Sequence, residues 1–268
     1  MEIRHTMVMF KQLLRSADRP LIGTFVKVPA LELAEIVGEA GFDFVVIDTE
    51  HALLSVRDVY SLVVVYSRMG VAPLVRITDH GYGDAQRYLD AGAAGVLVPH
   101  VSNGEQAVAT MRQFLFPPEG TRGMGYAARA GRWGMLPGGP AEYVRVGQQD
   151  AARIAMIEER ESVEDIERIL AAPGVDGVFV GPGDLSLSLG VPGGSPTVLD
   201  VVTTAISAAV RAGVPAGTVV QGAEQARLRL EQGCSFILIG NDTGMFADAA
   251  RRTRAIGREA VDAIAAVR

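Results

Sequence analysis

The amino-acid sequence predicts a single α/β domain folded as a closed (β/α)8 barrel of the TIM type, and three observations carry that expectation. Eight short runs rich in Val, Ile, Leu and Phe recur from Leu21 onward, a helix-periodic segment follows each, and the alternation continues without a linker. The runs are nearly continuous in apolar residues, which suits parallel strands covered on both faces; a half-exposed antiparallel sheet would alternate polar with apolar. An open doubly wound sheet is the runner-up, but such sheets usually stop at about five or six strands, so the further units favour closure.

Residues 1–20 precede the first run and read as an N-terminal helical extension of one domain covering 1–268. Strands are expected at 21–26, 42–48, 73–77, 95–100, 153–158, 177–181, 216–220 and 236–240. Helical patterns occupy 30–40, 55–69, 82–91, 104–116, 163–171, 198–212, 223–232 and 245–267. Several run into a glycine just before the next strand, as at Gly41, Gly70 and Gly213, where the left-handed conformation that ends a helix costs glycine little. The connection 117–150 breaks the rhythm. It is far longer than the few residues a βα unit needs, carries Trp133 among many Gly and Arg residues, and is expected to hold a short helix at 141–148. Long loops in compact domains commonly act as lids or interface segments, and either role is expected here.

Composition narrows the function. With 49% hydrophobic but only 6% aromatic residues, the core is expected to be built of small aliphatic side chains. A net charge of −6, with acids interleaved among the basic residues, argues against a general nucleic-acid binder, because neutralising phosphates requires a basic face. Cys234 is the only cysteine, no secretory leader pattern is present, and no apolar stretch approaches the ~20 residues that span a bilayer. A cytoplasmic protein without a membrane partner is expected.

In a barrel of this kind the polar residues ending the strands converge on one mouth, which makes those ends the candidate site. The second strand ends in Asp48-Thr49-Glu50-His51, the third in Arg76, the fourth in His100 and the fifth in Glu158; the sixth leads to Asp184 and the eighth to Asn241-Asp242. Glu158 and Asp184 form an oxygen-donor pair suited to a hard divalent cation such as Mg2+ or Mn2+, with coordination positions left for substrate and water. The plainer alternative makes Glu158 a solvated residue before a helix and Asp184 the cap of the short helix opened by Gly181-Pro182-Gly183-Asp184. His51 is the acid/base candidate because imidazole titrates near neutrality, and its alternative is a residue that merely starts a helix. Arg76 ends an otherwise apolar strand and needs an anion there, either a ligand oxygen or a protein carboxylate. The chain contains only Lys11 and Lys27; the first precedes the barrel and nothing apparent desolvates the second, which disfavours Schiff-base chemistry. Neither a phosphate-binding glycine loop nor a nucleophile elbow is present.

Taken in order, Gly23-Thr24-Phe25, Gly41-Phe42-Asp43-Phe44, Asp48-Thr49-Glu50-His51, Leu74-Val75-Arg76, Leu89-Asp90-Ala91-Gly92-Ala93 and Val98-Pro99 form a recognisable series. It continues with Phe116-Pro117-Pro118-Glu119-Gly120-Thr121-Arg122-Gly123, Met156-Ile157-Glu158 and Val180-Gly181-Pro182-Gly183-Asp184-Leu185-Ser186. Over nearly its whole length the chain thereby resembles the HpcH/HpaI family of class II, metal-dependent pyruvate aldolases. The resemblance implies a divalent cation (Mg2+, Mn2+ or Co2+) held by Glu158 and Asp184 and chelated by a pyruvate unit, with Arg76 facing the keto oxygen. It implies that His51, oriented by Asp90, moves protons, and that the backbone of Gly181, Pro182, Gly183 and Asp184 receives the substrate carboxylate. A lid around Arg122-Gly123-Met124-Gly125 and a homo-oligomer, a hexamer built as a trimer of dimers with the last helix exchanged between neighbours, follow from the same resemblance. Met156 departs from the pattern: several relatives carry Gln there, so a polar contact is lost.

The expected function is a carbon–carbon lyase that reversibly cleaves a 4-hydroxy-2-oxo acid, of the oxoheptanedioate or deoxy-sugar-acid type, into pyruvate and an aldehyde through a metal-stabilised enolate. Retro-aldol cleavage leaves negative charge on an enolate oxygen, and a cation with a guanidinium placed there lowers its energy. The same site acting on a malyl- or citramalyl-type CoA thioester is an alternative, as is a non-catalytic barrel scaffold, which the intact set Glu158, Asp184, Arg76 and His51 argues against.

Overall fold

The computed structural model describes residues 7–80 and 82–266. Its strands are β1 (Leu21–Val26), β2 (Phe44–Asp48), β3 (Ala72–Arg76), β4 (Gly95–Val98), β5 (Ala152–Ile157), β6 (Gly177–Val180), β7 (Ala216–Val220) and β8 (Phe236–Asn241). Each pairs in parallel with its sequence neighbour, and β8 returns to β1 to close the barrel, as expected. Strand ends shift by one or two residues where ladder bonding starts or stops; β2, for example, pairs with β3 from Phe44 opposite Ala72 to Asp48 opposite Arg76.

Alternation along the strands divides the buried residues into two cores. Phe44, Val46, Leu74, Leu97, Ile154, Met156, Phe179 and Phe236 fill the barrel interior, whereas Val45, Ile47, Val75, Val96, Ala155 and Val178 pack against the surrounding helices. The interior is sealed where the strands begin. Phe10, from the helix Phe10–Ser16, is fully buried and meets the Phe44 and Phe236 rings edge-on at 4.9 and 5.2 Å. Gly23 and Gly217 make room for those two rings, because a Cβ on either glycine would overlap the aromatic carbons. The open end of the barrel is therefore the one where the strands finish.

Local chemistry sets the helix ends. Ser55 and Asp58 exchange side-chain and backbone hydrogen bonds in a capping box that starts Val56–Met69. The expected helix at 163–171 is instead two short ones, Arg160–Glu164 and Ile166–Leu170, broken at Asp165. The Asp165 carboxylate accepts the Gly104 N–H at 2.8 Å, so it serves the start of the neighbouring helix Gly104–Arg112. The last helix begins at Asp242, three residues earlier than expected, because the Asn241 side chain accepts the Gly244 N–H at 2.7 Å. It runs to Ala265 with Phe246, Ile256, Val261 and Ile264 exposed. No described helix is long and apolar enough to cross a membrane.

The segment 117–150 contains a 3-10 stretch, Arg129–Gly134, and a helix, Gly139–Gln149, close to the expected one. It joins the C-terminal end of one helix to the start of β5, on the sealed face of the barrel, and packs beside the end of helix Tyr82–Asp90.

Candidate active site

At the open end the strand termini surround a cavity of about 520 Å3. Side-chain alternation decides what faces it: Asp48 has the parity of Phe44 and Val46, Arg76 that of Leu74, Glu158 that of Ile154 and Met156, and Gly181 that of Phe179. Asp48, Arg76, Glu158 and Gly181 are thereby turned inward.

Arg76 is held on two sides. Its Nε and a terminal nitrogen donate to Asp48 at 3.0 and 2.8 Å, the other terminal nitrogen lies 3.0 Å from Glu50, and the guanidinium sits 5.0 Å above the Phe25 ring centre. Asp48 is fully buried and also accepts the backbone N–H groups of Glu50 and His51, while the Lys27 ammonium lies 3.1 Å from its Oδ2. Burial works to raise the Asp48 carboxyl, but the hydrogen bonds and charge of Arg76, with the His51 N–H and Lys27, hold it below the usual carboxylate range. A rigidly aimed guanidinium results.

Glu158 is only 1% exposed and accepts the His100 backbone N–H at 2.7 Å. Burial pushes its carboxyl up to about 7; the His100 N–H and ring pull it down, and the neighbouring charges of Asp184 and Glu50 push it up again. Gly181 stands against it: a Cβ there would come within 3.1 Å of Glu158 Oε2, so the glycine keeps that space open. Asp184 lies half-buried in the first turn of the helix Pro182–Leu189. Among the described residues no group of three or more His, Cys, Asp or Glu side chains is arranged to hold a metal, so a cation here would rest on this pair and on oxygens from substrate and water.

The remaining nominated residues divide. His51 stands at the rim with its side chain 57% exposed and Nε2 3.9 Å from Glu50. Asp90 is not brought to His51 within one chain. It ends helix Tyr82–Asp90 near the sealed face, where Arg122 donates to it at 3.0 Å and Tyr143 at 2.8 Å. The reason is directional: that helix follows β3 and runs back from the mouth, carrying its last residue away. Arg122, expected in a lid, is buried with its guanidinium 4.6 Å over the Phe116 ring, so the segment 117–150 does not close over its own mouth at this point.

Three residues gain a place in the charge network that their sequence positions alone did not assign: Glu50 and His100, already candidates as strand ends, and Lys27, disfavoured as a Schiff-base lysine. Glu50 bridges Arg76 to the ring of His100 at 3.2 Å, and His100 itself adopts φ +53°, a left-handed conformation rare outside glycine. Burial lowers the His100 imidazole, yet the charges of Glu158, Glu159 and Glu50 prevail and raise it. Lys27 joins through Asp48; its parity with Phe25 was the available signal.

The sequence pattern of the HpcH/HpaI aldolase/citrate lyase family matches residues 21–249. A pyruvate aldolase of Rhizobium etli is 37% identical over 240 residues, which is 89% of this chain and 92% of that protein. A hydroxypyruvate/pyruvate aldolase of Cupriavidus necator is 34% identical over 91% of this chain and 90% of its own length. Among solved structures, a HpcH/HpaI aldolase/citrate lyase family protein from Burkholderia cenocepacia superposes with a TM-score of 0.85 at 32% identity, covering 92% of this chain and 98% of that one. The fold, the inward-facing strand ends and these similarities agree: the chain belongs to the HpcH/HpaI aldolase/citrate lyase family and is an enzyme of the aldolase type.

Proposed function

We propose that the enzyme cleaves a 4-hydroxy-2-oxo acid to pyruvate and an aldehyde, and catalyses the reverse addition, with a divalent cation (Mg2+, Mn2+ or Co2+) held by Glu158 and Asp184. The observation that carries this reading is a buried carboxyl, Glu158, kept uncomfortable by burial and by the nearby charge of Asp184, and set behind Gly181 on the wall of a cavity that Asp184 and the locked guanidinium of Arg76 also line. Two oxygen donors and the gap left by Gly181 fit a hard cation. When bound, the cation supplies Lewis-acid stabilisation of the oxygen on which negative charge develops.

The chain's own residues do the rest. Arg76, unable to relax because Asp48 and Glu50 grip it, presents positive charge to the developing enolate without reorganisation. The first-turn N–H groups of Gly183 and Asp184 have no helical acceptor and receive the pyruvate carboxylate, with Gly181 giving access and Pro182 fixing the turn. His51 at the rim exchanges protons between the site and water. An Asp90 that orients His51 comes from a neighbouring copy, because a chain's own Asp90 lies near the opposite face; this accords with a homo-oligomer, a hexamer formed as a trimer of dimers, in which 117–150 and the exposed last helix supply contacts. A cytoplasmic setting suits Cys234, a buried thiol pushed up to about 11 by burial.

Pyruvate release from a set of 4-hydroxy-2-oxo acids, measured with each cation before and after EDTA, tests the reading. Turnover is expected to vanish on full chelation and return with Mn2+; activity that survives chelation rejects the cation's role. Borohydride reduction in the presence of pyruvate is expected to leave Lys27 without an adduct. Release of free CoA from malyl- or citramalyl-type thioesters, with no pyruvate–aldehyde turnover, would favour the thioester alternative.

A further inference from the structure

Building on the aldolase reading above, we propose that Lys27 selects the aldehyde half of the substrate: its ammonium receives a carboxylate carried by the aldehyde, so the enzyme prefers aldehyde acids to uncharged aldehydes. Lys27 follows the last residue of β1 with the inward parity of Phe25, and it lines the same cavity as Arg76 and Asp184. Its position is built rather than incidental. The backbone N–H groups of Lys27 and Val28 both donate at 2.9 Å to Oδ2 of Asp242, a carboxylate only 1% exposed, and this clamp fixes the point from which the side chain departs.

Asp48 engages a single donor of the ammonium: Lys27 is the second partner of Oδ2, beside Arg76. That carboxylate already accepts two hydrogen bonds from Arg76 and two from backbone N–H groups, so Lys27 contributes one further contact, at 3.1 Å. An ammonium has three donors. One is directed at Asp48, and the side chain, 26% exposed, offers the others to the cavity.

The walls of the cavity then divide between the two halves of a substrate. Arg76 and the helix start at Gly183 and Asp184 are engaged by the pyruvate half, with Glu158 behind Gly181. The remaining wall, from the ends of β7 and β8 round to β1, offers apolar Val219 and Ile239, the amides of Gln221 and Asn241, and Lys27. The Asn241 oxygen is occupied by Thr243 and Gly244, which leaves its NH2 group as a donor. A short apolar stem ending in one cation with amide donors nearby complements an aldehyde with a single carboxylate at its far end. A partly desolvated ammonium gains from such a partner, and an uncharged chain end leaves it without one.

Aldol addition to pyruvate with saturating Mn2+ tests this, using succinic semialdehyde against butanal and glyoxylate against acetaldehyde. In the native enzyme kcat/KM is expected to favour the acid of each pair by at least tenfold. Lys27→Ala is expected to collapse that ratio towards one, chiefly through KM for the acid, and Lys27→Arg to retain most of it. A purely structural role, in which losing Lys27 disturbs Asp48 and Arg76, slows both members of a pair alike and preserves the ratio; that result overturns the proposal. Exchange of the pyruvate methyl hydrogens in D2O requires no aldehyde and separates the two levels. Exchange together with a ratio insensitive to Lys27→Ala defeats the selectivity alone, whereas a native enzyme that neither exchanges nor adds any aldehyde defeats the aldolase reading and the selectivity with it.

Discussion

Arg153 and Arg76 are both buried guanidiniums paired with aspartate, at opposite ends of one barrel. Arg153, near the start of β5, lies 2.7 Å from Asp176 and donates to the carbonyls of Gly174 and Gln148, while Lys11 approaches Asp176 from the N-terminal helix. Beside it the Phe10 plug excludes solvent. Arg76, at the end of β3, meets Asp48 and Glu50, but Glu158 and Asp184 stand nearby around an open cavity. At the sealed end the charges complete one another within the protein. At the mouth they do not, and the surplus carboxylates are held in place by the scaffold at a cost that a cation bound there, as proposed above, would relieve.

The comparison can be broken most severely at the mouth. Glu158→Gln and Asp184→Asn are each expected to lower kcat/KM on the order of 1,000-fold and to abolish tight Mn2+ binding, followed by calorimetry, while the barrel still melts cooperatively. Arg76→Lys keeps a cation beside Asp48 but loses the paired hydrogen bonds; kcat is expected to fall about 100-fold with a modest change in stability.

Substitutions at the sealed end should invert that pattern. Phe10→Ala leaves a hole between Phe44 and Phe236 and is expected to cost about 3 kcal/mol in urea unfolding, with kcat of the folded enzyme retained. Arg153→Met leaves Asp176 with the Lys11 ammonium and the backbone N–H of residue 153 and is expected to cost about 2 kcal/mol, again without loss of kcat.

The smallest effect sharpens the comparison through pH. Because the folded protein raises the Glu158 carboxyl to about 7, the metal-free fold is favoured while that group is protonated and loses the advantage as pH climbs through 7. A cation binds only the deprotonated carboxylate. The rise in Tm on adding Mn2+ is therefore expected to be slight at pH 5.5 and to grow through pH 7; a rise independent of pH would show that Glu158 is not a ligand.

Much of this was legible in the chain itself. Continuous apolar runs identify the strands, because a parallel strand covered on both sides needs apolar residues at every position, and the count of units implied closure. Placing Asp48, Arg76 and Glu158 at strand ends required nothing more, since a period of two turns them to the same side as the large interior residues. Helix boundaries were less legible where a distant partner intervenes, as when Asp165 leaves its own helix to hold Gly104.

What the tertiary structure alone decided is which charges meet. Lys27, Asp48, Arg76, Glu50 and His100 come from the ends of four consecutive strands, β1 to β4, and only the lateral pairing of those strands sets them in one chain of ion pairs. The helix that returns from β3 carries Asp90 to the far end, where it meets Arg122 and Tyr143. Periodicity reports the face on which a side chain lies, which is a local property; ion pairing depends on distances of a few ångströms between segments far apart in sequence, and those exist only once the chain has folded.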